Sequence, residues 1–145
     1  MIKTEKEYLE AKTRLDQEYK ALEGHEKKMK AAGLNNEQIK LAMDPLVSFT
    51  LQLKEEVAEY EKLKRGQFDP FVNLNGLGRA LIAFRIYKGM SQKDLADKLG
   101  VSEPQVSRDE RNEYHGASLE KIQRVLDALS MKLQSKVEED FRNVI

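Results

Sequence analysis

The sequence predicts an all-α protein in which an N-terminal helical hairpin or coiled coil precedes a bundle of short helices. Three features of the 145-residue chain indicate this class. Over most of residues 1–65, apolar residues recur every seven positions, which is the spacing found along one face of a long helix. From Leu77 onward, short apolar stretches follow helix-capping residues. The apolar alternation of a strand occurs only near the C-terminus.

Composition narrows the classes of function. The chain has no cysteine, so a disulfide framework, a thiolate metal site and a cysteine nucleophile are excluded. His25 and His115 have no partner motif, and no nucleophile–base arrangement is present, so we expect no metal, no cofactor and no enzyme activity. No apolar run is long enough for a bilayer span, and MIKTEKEYLE lacks the apolar core of a signal peptide. We therefore expect a cytoplasmic protein without a membrane partner.

Residues 1–66 are predicted to form the hairpin. Thr4 and Glu7 have the spacing of a capping box at the start of the first helix. The apolar seam of this helix has a seven-residue spacing, at Tyr8, Leu15, Leu22 and Met29. Gly33 is expected to end it.

The returning part of the hairpin is predicted as two helices. Asn35 or Asn36 would cap a short helix that contains Ile39 and Met43. Asp44-Pro45 fits an N-cap followed by proline at the first helical position, so a further helix is predicted to begin there and to run to about Arg65. Its seam lies at Leu46, Leu53 and Tyr60. Neither seam can be buried alone, so the hairpin either serves as structure within one chain or dimerises.

A change of composition divides the chain after the hairpin. GQFDPFVNLNG, residues 66–76, contains glycine, proline and asparagine and has no helical period. This stretch predicts a linker over residues 67–75. A second domain is then predicted over residues 76–130, followed by a C-terminal strand or tail over residues 131–145. Met131, Leu133 and Val137 alternate, which slightly favours a short strand that would pair with its counterpart in a second subunit.

MSQKDLADKLGVSEPQVSRDE, residues 90–110, predicts two short helices joined by a tight turn. Ser91 would cap the first helix, and Gly100 permits the left-handed conformation of the turn. Ser102 would cap the second helix in a capping box with Gln105, and Pro104 fits the first turn. The predicted core residues are Leu95, Ala96, Leu99, Val101 and Val106. Two helices held in this way form a helix-turn-helix, whose second helix can enter the major groove of DNA.

GMSQKDLADKLGVSEPQVSRDER resembles the lambda-repressor-like, Xre-type (Cro-type) DNA-binding family, and the resemblance covers about residues 77–129. It implies a domain of five helices that binds double-stranded DNA, usually an operator, as a homodimer. Carried over residue by residue, Gln92 and Ser107 would approach phosphate, and Arg85 and Glu110 would form a charged pair. The base-facing positions would be Glu103, Pro104, Gln105 and Arg108. The full set of candidate DNA-binding residues is Ser91, Gln92, Lys93, Ser102, Glu103, Pro104, Gln105, Ser107, Arg108 and Arg111.

Two departures from the family pattern weaken non-specific DNA binding. Residues 75–118 contain seven basic and six acidic side chains, a net charge of +1, although phosphate neutralisation normally supplies much of the affinity. Asp109 stands where the family usually has an apolar residue. These departures predict modest non-specific affinity and a need for dimerisation.

Three functions remain open from the sequence. The first is a transcriptional regulator, most simply a repressor that binds a palindromic operator as a dimer. The second follows from a weaker resemblance to antitoxins of the HigA type, which implies that the hairpin binds a toxin protein while the other domain represses its own operon. The third is a protein-interaction module that keeps only the fold.

Overall fold

Helices are the only regular secondary structure in the part of the chain that the structure describes. The computed structural model describes residues 1–140, and within them six α-helices form: α1 (Glu5–Ala31), α2 (Asn36–Lys64), α3 (Leu77–Tyr87), α4 (Gln92–Leu99), α5 (Glu103–Arg111) and α6 (Leu119–Ala128). The predicted all-α class is therefore confirmed. In the same residues no helix is both long enough and apolar enough to cross a membrane.

Helices α1 and α2 form the predicted antiparallel hairpin. The Thr4 hydroxyl caps α1 by accepting a hydrogen bond from the backbone N–H of Glu7 at 3.2 Å. After the turn, Asn35 caps α2 in a complete capping box with Gln38, with bonds of 2.9 and 3.0 Å. These caps satisfy backbone donors that a helix start leaves free, and they fix where each helix begins.

The predicted break at Asp44-Pro45 is wrong, because α2 runs without interruption from Asn36 to Lys64. Pro45 lies inside this helix, where it removes one backbone donor and normally costs about 3 kcal/mol. Its position is exposed, so water can hydrate the carbonyl that loses its donor. Buried side chains on both sides of the proline, Met43 and Thr50, continue one packed face across it. Tertiary packing thus outweighs the local preference for a helix start.

The hairpin is held most firmly at the end near the rest of the protein. The Tyr8 and Tyr60 rings stack with their centroids 4.8 Å apart. Each phenol also donates across the hairpin, Tyr8 to Glu61 at 2.7 Å and Tyr60 to Glu5 at 3.0 Å. No residue of α1 is buried, whereas α2 buries residues along its length. The two-helix hairpin therefore leaves its first helix only half covered.

One hydrophobic core joins the hairpin to the remaining helices. Its most deeply buried members come from α3, α4, α5 and α6, and include Leu81, Ile82, Leu95, Val106 and Val125. Ile2 and the last turns of α2, through Val57, Tyr60 and Leu63, belong to the same cluster. The near end of the hairpin is thereby fixed against α3.

The segment between α2 and α3 packs through its aromatic residues. The Phe68 ring meets Phe84 and Tyr87 edge-on, with centroid distances of 5.1 and 5.6 Å. Gly78, in the first turn of α3, lies against the turn that follows α5. A Cβ atom on Gly78 would stand 1.8 Å from the carbonyl oxygen of Glu113. Only glycine permits this close approach of helix and turn.

Two expectations about the C-terminal half differ from the structure. Residues 76–130 contain four helices, α3 to α6, where the family resemblance implies five. The strand that the alternation slightly favours does not form over residues 131–140 of the single chain, which are neither strand nor helix, and residues 141–145 lie outside the described part. A strand needs a partner for its backbone groups, and Val137 is 96% exposed in the single chain.

Candidate nucleic-acid interface

Helices α4 and α5 form the predicted helix-turn-helix. The Ser91 hydroxyl accepts from the backbone N–H of Asp94 at 3.0 Å, and the Asp94 carboxylate accepts from the N–H of Ser91 at 2.9 Å. The hydrogen bond from the Ser91 backbone N–H, followed by one from the Ser91 side chain, lowers the pKa of Asp94 below its ordinary value, because both favour the charged carboxylate. At the other end of α4, Gly100 adopts φ = 70°, the left-handed conformation that the turn requires.

The start of α5 differs in one detail from the predicted capping box. The Ser102 hydroxyl accepts from the backbone N–H of Gln105 at 3.3 Å, as expected. The Gln105 side chain does not return to the backbone of Ser102. It lies along the helix instead and donates to the Asp109 carboxylate at 3.0 Å. A charged acceptor one turn away is the stronger partner for the amide.

The buried side of α5 is anchored by an ion pair. Val106 and Glu110 are 1% and 0% exposed. The Arg85 Nε atom donates to both carboxylate oxygens of Glu110 at 2.7 and 3.0 Å, and its Nη2 atom donates to Oε1. The remaining guanidinium donors reach the carbonyl oxygens of Met90 at 2.8 Å and Lys3 at 2.7 Å. The guanidinium thereby joins α3, the loop before α4, α5 and the N-terminal segment.

The opposite side of α5 is accessible. Of the candidate base-facing residues, Glu103, Pro104 and Arg108 are exposed, and Gln105 is half-buried. The remaining candidates of the second helix are also accessible, since Ser102 and Arg111 are exposed and Ser107 is half-buried. The predicted core position Val101 is wrong, because this residue is 42% exposed at the turn. Leu99, the other predicted core residue near the turn, is half-buried and packs against the core.

Polar contacts order the accessible side of α5. The Arg108 Nη2 atom donates to the side-chain oxygen Oε1 of Gln105 at 3.0 Å, and the Gln105 side-chain amide donates to the Asp109 carboxylate. Asp109 is in turn paired with the Lys121 ammonium of α6 at 2.7 Å. In the sequence alone, Asp109 stands out only as a departure from an apolar position. The contact between Gln105 and Asp109 could have been predicted, because residues four apart are neighbours on a helix surface. The contact with Lys121 could not, because Lys121 lies on another helix and no sequence pattern links it to Asp109.

The N-terminal end of α4 lies beside the same surface. Gln92 is half-buried, and its amide points toward the Glu110 carboxylate at 3.4 Å. Lys93 is exposed and pairs with Asp97 at 3.3 Å on its own helix. The free backbone amides of a helix start and an adjacent ammonium suit a phosphate group.

The turn after α5 contains a buried phenol. Burial raises the pKa of Tyr114 above its ordinary range, and the carboxylates of Glu110 and Asp109 raise it further. A group that stays neutral can remain inside without a charged partner.

In residues 1–140 no cluster of three or more histidine, aspartate and glutamate side chains could hold a metal ion.

Comparison with known proteins bears directly on these two helices. Residues 81–135 match a protein-family model described as helix-turn-helix. This match confirms the resemblance stated from the sequence for this part of the chain and covers α4, α5 and α6 completely. No curated protein and no solved structure matches the chain.

Proposed function

We propose that this chain, whose residues 81–135 are a lambda-repressor-like helix-turn-helix domain, is a sequence-specific DNA-binding repressor that reads its operator with α5. One observation carries the proposal. Val106 and Glu110 fix α5 from its buried side, while Glu103, Gln105 and Arg108 face outward from the same short helix. A helix held by one face presents the other to the major groove in a defined register.

The outward side chains have the chemistry of base recognition. The Arg108 guanidinium can donate two hydrogen bonds to guanine O6 and N7, and the Gln105 amide can pair with adenine N6 and N7. Glu103 can accept from cytosine N4. The contact between Arg108 and Gln105 already restricts the rotamers of both side chains. Less side-chain conformational entropy is therefore lost when they bind DNA. These three residues are our proposed base contacts.

The flanking residues are proposed to position the domain on the backbone. Ser91, Gln92 and Lys93 stand at the start of α4, where a phosphate is favoured by free amides and by the ammonium group. Ser102, Ser107 and Arg111 line the two ends and the edge of α5, and Pro104, the fourth base-facing position, completes the proposed interface.

We further propose that two copies bind a palindromic site. The exposed charges of α4 and α5 are four basic and three acidic, namely Lys93, Lys98, Arg108 and Arg111 against Asp94, Asp97 and Glu103. Such a small excess gives one domain little phosphate affinity. Two domains joined in a homodimer would place their second helices about 34 Å apart, one helical turn of DNA.

The test of this proposal is the loss of sequence discrimination in Arg108→Ala. With a DNA site recovered by selection from random sequences, we expect Arg108→Ala to weaken binding by about 1–3 kcal/mol relative to scrambled DNA. Arg124→Ala is the matched control, because Arg124 is exposed on α6 outside the proposed interface. Fluorescence anisotropy measures both. Unchanged discrimination in Arg108→Ala would contradict the readout role.

A second candidate function is that of an antitoxin which binds a toxin protein through the hairpin and represses its own operon. The observation that favours it is the outer part of α2, which exposes apolar side chains at Leu41, Val47, Phe49 and Leu51. A protein partner would cover such a surface. If a small basic ribonuclease-like gene adjoins this one, we expect its product to co-purify with the chain in a stable complex. Separate elution on size-exclusion chromatography would contradict this function.

A further inference from the structure

A cavity lies between α2, the connecting segment and α3. Its volume is about 540 Å³, which lies within the range of small-molecule sites. Apolar side chains of three elements line it: Leu63 of α2, Phe68 and Phe71 of the connecting segment, and Ala80 and Ala83 of α3. Neither α4 nor α5 contributes a lining residue, so the cavity is distinct from the proposed DNA interface.

The charges that line this cavity are predominantly negative. Four carboxylates, of Glu55, Glu56, Glu59 and Asp69, stand against two cations, the guanidinium of Arg79 and the ammonium group of Met1. Lys62 lies 2.8 Å from Asp69 and 3.9 Å from Glu59, and Arg79 lies 3.7 Å from the Glu113 carboxylate.

Two of the four carboxylates are available to a ligand. Within residues 1–140, Glu55 and Glu56 make no hydrogen bond and no ion pair. They follow each other on α2 and both line the cavity, and Glu56 is half-buried. A half-buried carboxylate gains from a cation that replaces part of its lost hydration.

The aromatic walls of the cavity are held in place by neighbouring rings. Phe68 packs edge-on against Phe84 and Tyr87, and Tyr60 stacks on Tyr8. The face of an aromatic ring attracts a cation, and the attraction grows when the cation is removed from water. Ordered rings beside unpaired carboxylates therefore complement one kind of ligand, in which an apolar body carries a positive charge.

We propose that this cavity binds a small organic cation with an aromatic or otherwise apolar body. The apolar body would lie against Phe68 and Phe71, and the positive charge would lie toward Glu55 and Glu56. A nucleic acid does not fit this site, because the carboxylates repel phosphate.

The proposal can be tested with two probes of the same shape and opposite charge. In isothermal titration calorimetry of the full chain, tetraphenylphosphonium should bind with one site per chain, and tetraphenylborate should bind at least about tenfold more weakly. Equal affinity for the two ions would show that shape alone governs binding and would overturn the proposal. Absence of tetraphenylphosphonium binding would overturn it as well.

Variants locate the bound cation. The double variant Glu55→Gln/Glu56→Gln should weaken tetraphenylphosphonium binding by about tenfold or more, because it removes the unpaired carboxylates. It should keep the melting temperature of the parent, since it breaks no contact. The control Glu10→Gln/Glu23→Gln changes the net charge equally on exposed positions of α1 and should leave the affinity unchanged. Equal affinities of the two double variants would place the cation elsewhere and contradict the proposal.

Discussion

The Arg85 guanidinium and the Glu110 carboxylate form a buried ion pair between α3 and α5, with side chains that are 3% and 0% exposed. Both Glu110 oxygens accept from Arg85, and the other Arg85 donors reach the backbone carbonyls of Met90 and Lys3. Every polar atom of the pair that is buried in the described part of the chain has a partner. The proposed recognition helix α5 is thus held on its buried side by the Glu110 carboxylate, which has no access to water.

Removing one partner of this pair should destabilise the protein strongly. We expect Glu110→Ala to lower the free energy of unfolding by about 3–5 kcal/mol, because it leaves the Arg85 charge buried without its counter-ion. The control Glu10→Ala, on the exposed side of α1, should change it by less than about 0.5 kcal/mol. Urea unfolding followed by circular dichroism measures both. Similar midpoints for the two variants would mean that the pair does not hold α5.

Gly78 should not tolerate a methyl group. A Cβ atom on Gly78 would lie 1.8 Å from the carbonyl oxygen of Glu113, a backbone atom that cannot rotate away. We expect Gly78→Ala to lower the thermal midpoint, with a loss of roughly 1–3 kcal/mol from overpacking. Gly24→Ala is the matched control, because Gly24 is also helical and has no neighbour within 4 Å of the new atom. It should stabilise α1 by about 0.5–1 kcal/mol. Stabilisation by both substitutions would contradict the close contact.

The salt dependence of DNA binding should report the role of Lys93. If its ammonium contacts one phosphate, Lys93→Ala should weaken binding to all sequences and reduce the slope of log K against log salt by about 1. The exposed ion pair between Lys93 and Asp97 is weak, so Lys93 can leave Asp97 and contact a phosphate instead. Lys20→Ala, on α1, should leave the slope unchanged. An unaltered slope in Lys93→Ala would remove this residue from the proposed phosphate contacts.

The stability of the hairpin should fall in acid through Glu5. The Lys64 ammonium, 2.8 Å away, lowers the pKa of Glu5, and the Tyr60 hydroxyl also donates to its carboxylate. Because the pKa is lower in the folded state than in the unfolded state, this contribution is present above the ordinary carboxyl pKa and is lost as the pH falls through the folded value. Glu5→Gln should therefore lose less stability than the parent between about pH 7 and about pH 3. Equal losses, measured by urea unfolding, would contradict this role of Glu5.

Local signals in the sequence were sufficient for most helices. Thr4, Asn35, Ser91, Ser102 and Ser118 each cap a helix where a capping residue precedes an apolar period, because a cap acts within one turn of its own position. The turn at Gly100 was predictable for the same reason. The family match over residues 81–135 confirms the domain type to which these signals point.

The errors and omissions came from contacts between distant parts of the chain. Pro45 lies within a continuous helix because packing on both sides outweighs its local effect. Lys121 orders the outer face of α5 through Asp109, and the carbonyl of Lys3 completes the coordination of Arg85. Neither contact follows from the spacing of residues along the sequence, since each joins residues from separate elements. The slightly favoured strand is absent from residues 131–140 of the single chain because a strand forms only with a partner strand, and its pairing with a second subunit stays a prediction.

The central claim is that the outer face of α5 reads a DNA sequence, and the most direct measurement is a selection from random double-stranded DNA with the purified chain. We predict an enriched palindromic site, with half-sites about one helical turn apart, whose affinity falls as salt rises. The variant Gln105→Ala/Arg108→Ala should not enrich that site. Failure of the parent chain to enrich any sequence, even at low salt, would contradict the claim.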